Sequence, residues 1–206
     1  MNSIDRLYAE EIGGLLISSD GSASENLPTH PLVLAGSFNP LHDGHRSMLN
    51  AASEIVSRSA YYEISIVNVD KPVLPREELE KRTAQMTSDG SSLIVTSAPR
   101  FTEKSSILPG ATFVIGFDTY IRLMDKRYYP DHLAGSVSAV ENSLDLIHEN
   151  GCSFVVAGRV DDHDQFRGMT DVQVEIPARF RSMFTELNES QFRSDLSSTE
   201  IRNRSN

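Results

Sequence analysis

Two histidines stand three residues apart in "GSFNPLHDGH", residues 36–45: His42 and His45, on either side of Gly44. Residues three apart share a face in the first turn of a helix. Gly36 and Ser37 let a ligand approach the backbone closely, and Pro40 removes a donor and stiffens the turn. A helix starting at Asp43 points its free N–H groups back at the same place, as a phosphate site requires. The positive end of a helix disfavours two imidazolium ions, whereas nearby anions raise a histidine's pKa. A phosphate chain is therefore the partner that suits the pair. Taken alone, the match fits a surface or capping histidine better. Zinc suits it less, because no Cys/His cluster supplies further ligands.

A second group stands near the other end, in "DLSSTEIR", residues 195–202. Ser197 and Glu200 fit the spacing of a capping box, which sets Ser198 and Thr199 among free N–H groups at a helix start. Arg202, one turn on, offers phosphate a planar fork of donors. An ordinary capped helix is the rival reading. Lys71, in "NVDKP", follows an apolar run and either reaches phosphate or is a solvated surface lysine.

The elements that must position these residues follow from hydropathy. Residues 2–17 carry Ile4, Leu7, Tyr8, Ile12 and Leu15 at roughly helical spacing, which predicts a helix. Residues 18–26 are small and polar and read as a linker. Short apolar runs at residues 32–35, 62–69, 93–96, 112–115, 153–157 and 172–176 predict six strands. Helices are predicted over residues 43–58, 77–86, 105–108, 119–124, 143–149 and 197–204. Strands that are nearly continuously apolar and alternate with helices predict an α/β fold: a Rossmann-like, doubly wound, mostly parallel sheet with helices on both faces. The expected organisation is an N-terminal helix and linker over residues 1–30 and one domain over residues 31–206. In such sheets ligands bind beyond the carboxyl ends of the strands, where residues 36–41 fall.

The net charge of −10 excludes a broad nucleic-acid-binding face but not a local anion site. No apolar run reaches the ~20 residues of a membrane span, and the N-terminus resembles neither signal nor transit peptide, so a cytoplasmic protein is expected. Cys152 is the one cysteine and lies in an apolar run, which predicts a packed, inert thiol.

"GSFNPLHDGH" resembles the first motif of the HxGH nucleotidylyltransferases, above all the nicotinamide or nicotinate mononucleotide adenylyltransferases. "DLSSTEIR" resembles their ISSTxIR motif, with Leu196 for the usual isoleucine. "FVIGFD", residues 113–118, is similar to the G-x-D segment after the fourth strand. Together with "NVDKP", these stretches look closest to a cytidylyltransferase-like branch found in plants and fungi. The resemblance runs from about residue 31 to residue 202. It implies nucleotidyl transfer from a nucleoside triphosphate to a phosphorylated small-molecule acceptor, with Mg2+ carried by the nucleotide phosphates.

It further implies His42, His45 and Arg202 as catalytic residues. Gly36, Ser37, Phe38, Asn39, Lys71, Gly116, Asp118, Ser198 and Thr199 would bind nucleotide, Gly116 and Asp118 at the ribose. For Asp118 a plain helix cap is the rival. The SST-x-IR pattern looks more like adenylyl than cytidylyl enzymes, so ATP leads. A cytidylyltransferase using CTP and a phosphorylated alcohol, or a module that binds nucleotide without turnover, is the alternative. Neither a nucleic-acid nor a membrane partner is expected, and homo-oligomerisation is left open.

Overall fold

The computed structural model describes residues 2–69, 71–125, 127, 138–161, 163–171 and 176–193. The apolar runs form the strands β3 (Leu32–Ala35), β4 (Ala60–Ser65), β5 (Leu93–Thr96), β6 (Thr112–Gly116) and β7 (Ser153–Ala157). With β10 (Phe184–Leu187) they build a parallel sheet in the order β10-β7-β6-β3-β4-β5. Two antiparallel strands, β1 (Gly14–Ile17) and β2 (Ala23–Ser24), extend the β5 edge. A small hairpin, β8 (Arg159–Val160) and β9 (Phe166–Arg167), stands apart. The chain runs outward from β3 through β4 and β5, then returns to lay β6 on the other side of β3. That reversal is the switch point at which a doubly wound, Rossmann-like sheet leaves a crevice.

Both faces are apolar because alternate side chains of each strand enter different cores. Leu32, Leu34, Ile64 and Val95 face one core, closed by α1 (Ser3–Tyr8), α2 (Asp43–Ile55) and α3 (Arg76–Ser88) through Leu7, Leu49 and Leu79. Val33, Ile94, Phe113 and Phe154 face the other. There α4 (Phe101–Ile107), α5 (Phe117–Leu123) and α6 (Ala139–Glu149) bring in Phe101, Leu123 and Leu144. Cys152 is buried at the edge of this second core, where burial pushes its thiol up. Among the described residues no helix is long and apolar enough to cross a membrane.

The N-terminal stretch departs from its helical pattern. The helix expected over residues 2–17 ends at Tyr8; Glu10 has φ +57°, and Gly14–Ile17 is strand β1 of the main sheet. Leu15 and Ile17 are buried in one core and Leu16 packs against the other, a period of two that the helical spacing of the upstream residues obscured. Helix α1 itself supports the site rim. Tyr8 Oη donates to the Leu74 carbonyl at 2.8 Å, and Asp5 pairs with Arg76 at the start of α3. Of the strand expected over 172–176, residues 172–175 lie outside the described residues, as does the whole helix expected over 197–204. The sixth parallel strand, β10, falls further on and was not foreseen, since "FTEL" offers only Phe184 and Leu187 as buried apolar residues.

Candidate active site

The turn after β3 is built around one aromatic ring. Gly36 extends the ladder by donating its N–H to the Glu63 carbonyl at 3.0 Å. Phe38 then folds back over it. A Cβ at residue 36 would lie 2.8 Å from the Phe38 ring, so glycine is the residue that leaves room. The Phe38 ring is fully buried and meets Tyr62 and His45 edge-on, at 5.2 and 4.9 Å between centroids. Phe38 has φ +45°, a left-handed backbone that costs on the order of 1 kcal/mol and persists only when packing enforces it. The Asn39–Pro40 peptide is cis. Helix α2 then starts at Asp43, as expected, with His42 as its N-cap residue.

His42 and His45 do come together. Their rings stack at 3.7 Å between centroids, tilted by 30°. The His42 backbone N–H donates to His45 Nδ1 at 3.4 Å. A ring nitrogen that accepts a hydrogen bond carries no proton, so this contact selects the neutral tautomer with its proton on Nε2. Electrostatics agree. Burial, then the neighbouring His42 and Arg46 charges, push the His45 pKa down to about 3. His42 is lowered too, by burial and Arg46, against a smaller opposing effect of Asp43. At neutral pH the pair is uncharged, and His45 offers an N–H rather than a positive charge.

A cavity of about 650 Å³ opens at the carboxyl edge of β3 and β4. Gly36, Ser37, Phe38 and Asn39 wall it on one side, with His45 among them, and Lys71 stands on the loop after β4. Its volume falls within the usual range for small-molecule sites. Two walls were not foreseen. Arg82 of α3 lines the cavity and donates from Nη1 to the Ser37 carbonyl at 3.1 Å, pinning the turn. Glu63 of β4 and Lys104 of α4 form an ion pair of 2.5 Å, with the two side chains only 1% and 7% exposed. Thr96 Oγ1 adds a 2.6 Å hydrogen bond to the same Glu63 oxygen. Glutamate inside the β-branched run "YYEISIV" is the one sequence signal that could have revealed the pair. Among the described lining residues, Lys71, Arg82 and Lys104 stand against Glu63 alone. The cavity is thus locally cationic in a chain whose net charge is −10.

Gly116 and Asp118 lie outside the cavity wall. Gly116 ends β6, and a Cβ there would approach Met48 of α2 at 4.0 Å, ordinary contact. Asp118 is exposed in the first turn of α5 and accepts both oxygens' hydrogen bonds from Arg159, at 2.8 and 2.9 Å. Ser198, Thr199 and Arg202 lie outside the described residues. Among the described residues no three His, Cys, Asp or Glu side chains gather as a metal site.

The fold and site together define an α/β protein with a locally cationic, small-molecule-sized cleft at the switch point of its sheet. Residues 33–204 match the cytidylyltransferase-like family model, and the chain belongs to that family. The match covers the first motif, the cavity and residues 195–202, and it makes the chain a nucleotidylyltransferase. A search of curated proteins returned no match.

Proposed function

We propose that this chain transfers AMP from ATP to nicotinamide or nicotinate mononucleotide and releases pyrophosphate. The observation that carries the reading is the cavity at the switch point, where the turn at residues 36–39, His45, Lys71 and Arg82 converge. The choice of ATP rests on the resemblance of residues 195–202 to adenylyl enzymes.

In the proposed step an oxygen of the acceptor phosphate forms a bond to the α-phosphorus in line. The bond from that phosphorus to the bridging oxygen breaks, and pyrophosphate leaves with the electron pair. The attacking oxygen is already anionic, so no protein nucleophile or strong base is required. Catalysis is positioning and neutralisation of charge. His45 donates its Nε2 proton as a hydrogen bond to a phosphate oxygen, and Lys71 and Arg82 offset negative charge. A phosphate beside His45 favours its charged form and so opposes the downward shift that burial imposes. Arg202, Ser198 and Thr199 complete the triphosphate end by resemblance. The donor set fits magnesium borne by the nucleotide, since Glu63, the one carboxylate in the described wall, is held by Lys104. Bound with the nucleotide, magnesium would supply positive charge against the pyrophosphate, alongside Lys71 and Arg82.

The test is pyrophosphate release with each of four nucleoside triphosphates against pyridine mononucleotides and phosphorylated alcohols. Product with ATP and a pyridine mononucleotide supports the reading. Product with CTP and a phosphorylated alcohol replaces it, and nucleotide binding without product in any combination makes the chain a binding module.

A further inference from the structure

The Glu63–Lys104 pair is not explained by the phosphate chemistry. Burying two charges costs more desolvation than their attraction returns, unless further hydrogen bonds complete them. Here the pair sits in the cavity wall with capacity to spare. Thr96 and Lys104 both bond Glu63 Oε1. A carboxylate accepts about four hydrogen bonds and an ammonium donates three. The Glu63 backbone carbonyl holds Gly36, yet the pair is completed from the other face of the sheet. Arg82 and His45 come from α3 and α2, which cover one face of the sheet, whereas Lys104 comes from α4 on the other face. One cavity thus offers a ligand His45 and Arg82 from one face and Lys104 from the other.

We propose that Glu63 and Lys104 read the non-phosphate end of the acceptor and select a carboxamide over the corresponding carboxylate. This rests on the acceptor being a pyridine mononucleotide. A carboxamide donates from its NH2 group to Glu63 and accepts at its oxygen from Lys104, satisfying both members of a net-neutral pair. A carboxylate can use Lys104 only by placing a second negative charge against buried Glu63, where no solvent screens it. Because Glu63 already neutralises Lys104 at 2.5 Å, the pair favours a neutral partner.

Direct calorimetric binding of nicotinamide mononucleotide and nicotinate mononucleotide to the whole protein, paired with turnover on ATP, tests this. The wild type is expected to bind the amide at least ~10-fold tighter, since like charges placed together are strongly disfavoured. Glu63→Gln should collapse or reverse that ratio. If Glu63→Gln fails to fold with Lys104 left uncompensated, the neutral double variant Glu63→Gln/Lys104→Met is the substitute and should lose the preference. A wild type that binds the acid equally well or better overturns the inference, as does a ratio unchanged by either variant. In those cases turnover of a mononucleotide leaves the reaction itself standing. Failure of both mononucleotides to bind or react overturns the reaction and the inference together.

Discussion

His45 is a hydrogen-bond donor in the free protein, held neutral by burial, by its stacked neighbour and by a backbone N–H aimed at its Nδ1. Removing one preorganised donor to a transition-state oxygen typically costs 10²–10³ in turnover. His45→Ala should therefore lower kcat by about that factor at neutral pH while circular dichroism stays unchanged. A folded variant with wild-type kcat would remove His45 from the reaction. The depressed pKa also has a stability consequence. His45 titrates at about 3 when folded and near 6.5 when unfolded, so the unfolded chain takes up the proton first as pH falls. The contribution is full above about pH 6.5 and is lost between there and about pH 3, at no more than about 1.4 kcal/mol per pH unit. Urea midpoints should thus fall between pH about 7.5 and about 5, and fall less in His45→Asn. Equal pH dependence in the two proteins would contradict the neutral-pair reading.

At the scale of the element, the turn between β3 and α2 is fixed by packing and by α3. Gly36→Ala drives a methyl group into the Phe38 ring, which Tyr62 and His45 hold from other sides. Overpacking of this kind costs about 1–3 kcal/mol. The expected result in urea unfolding is a lower midpoint with an unchanged slope, together with weaker nucleotide binding. An unperturbed Gly36→Ala would mean that the ring is free to swing aside. Much of this element could be read from sequence: the strand at Leu32–Ala35, the small residues of the turn and the helix start at Asp43 are local signals. Phe38 was legible as part of the motif, but its positive φ was not, because a phenylalanine there depends on tertiary packing. Arg82 was invisible for a similar reason. Its contact with the Ser37 carbonyl joins residues 45 apart in the chain, and in "EKRTAQ" it looks like any arginine on a charged helix.

For the whole molecule, near-continuous apolar strands alternating with helices were enough to give the doubly wound sheet, whereas the strand order that makes the switch point depends on long-range pairing. Besides the two-residue strands β2, β8 and β9, two longer strands escaped because their patterns were weak or borrowed. The period of two in Gly14–Ile17 hid behind the helical spacing of Ile4, Leu7 and Tyr8, and β10 carries only two buried apolar side chains. The cavity's charge was equally hidden. Net charge is a sum over 206 residues and says nothing of where Lys71 and Arg82 converge. That convergence predicts tight binding of inorganic pyrophosphate, weakening as salt rises, because rim charges such as Lys71 are screened. Salt-independent affinity would place the anion elsewhere. Nucleotidyl transfer at this site is measured as pyrophosphate release from ATP in the presence of nicotinamide mononucleotide. Release should be matched one-for-one by dinucleotide and lowered about 10²–10³-fold in His45→Ala. Absence of product with any nucleoside triphosphate and acceptor, or release unaffected by His45→Ala, would contradict it.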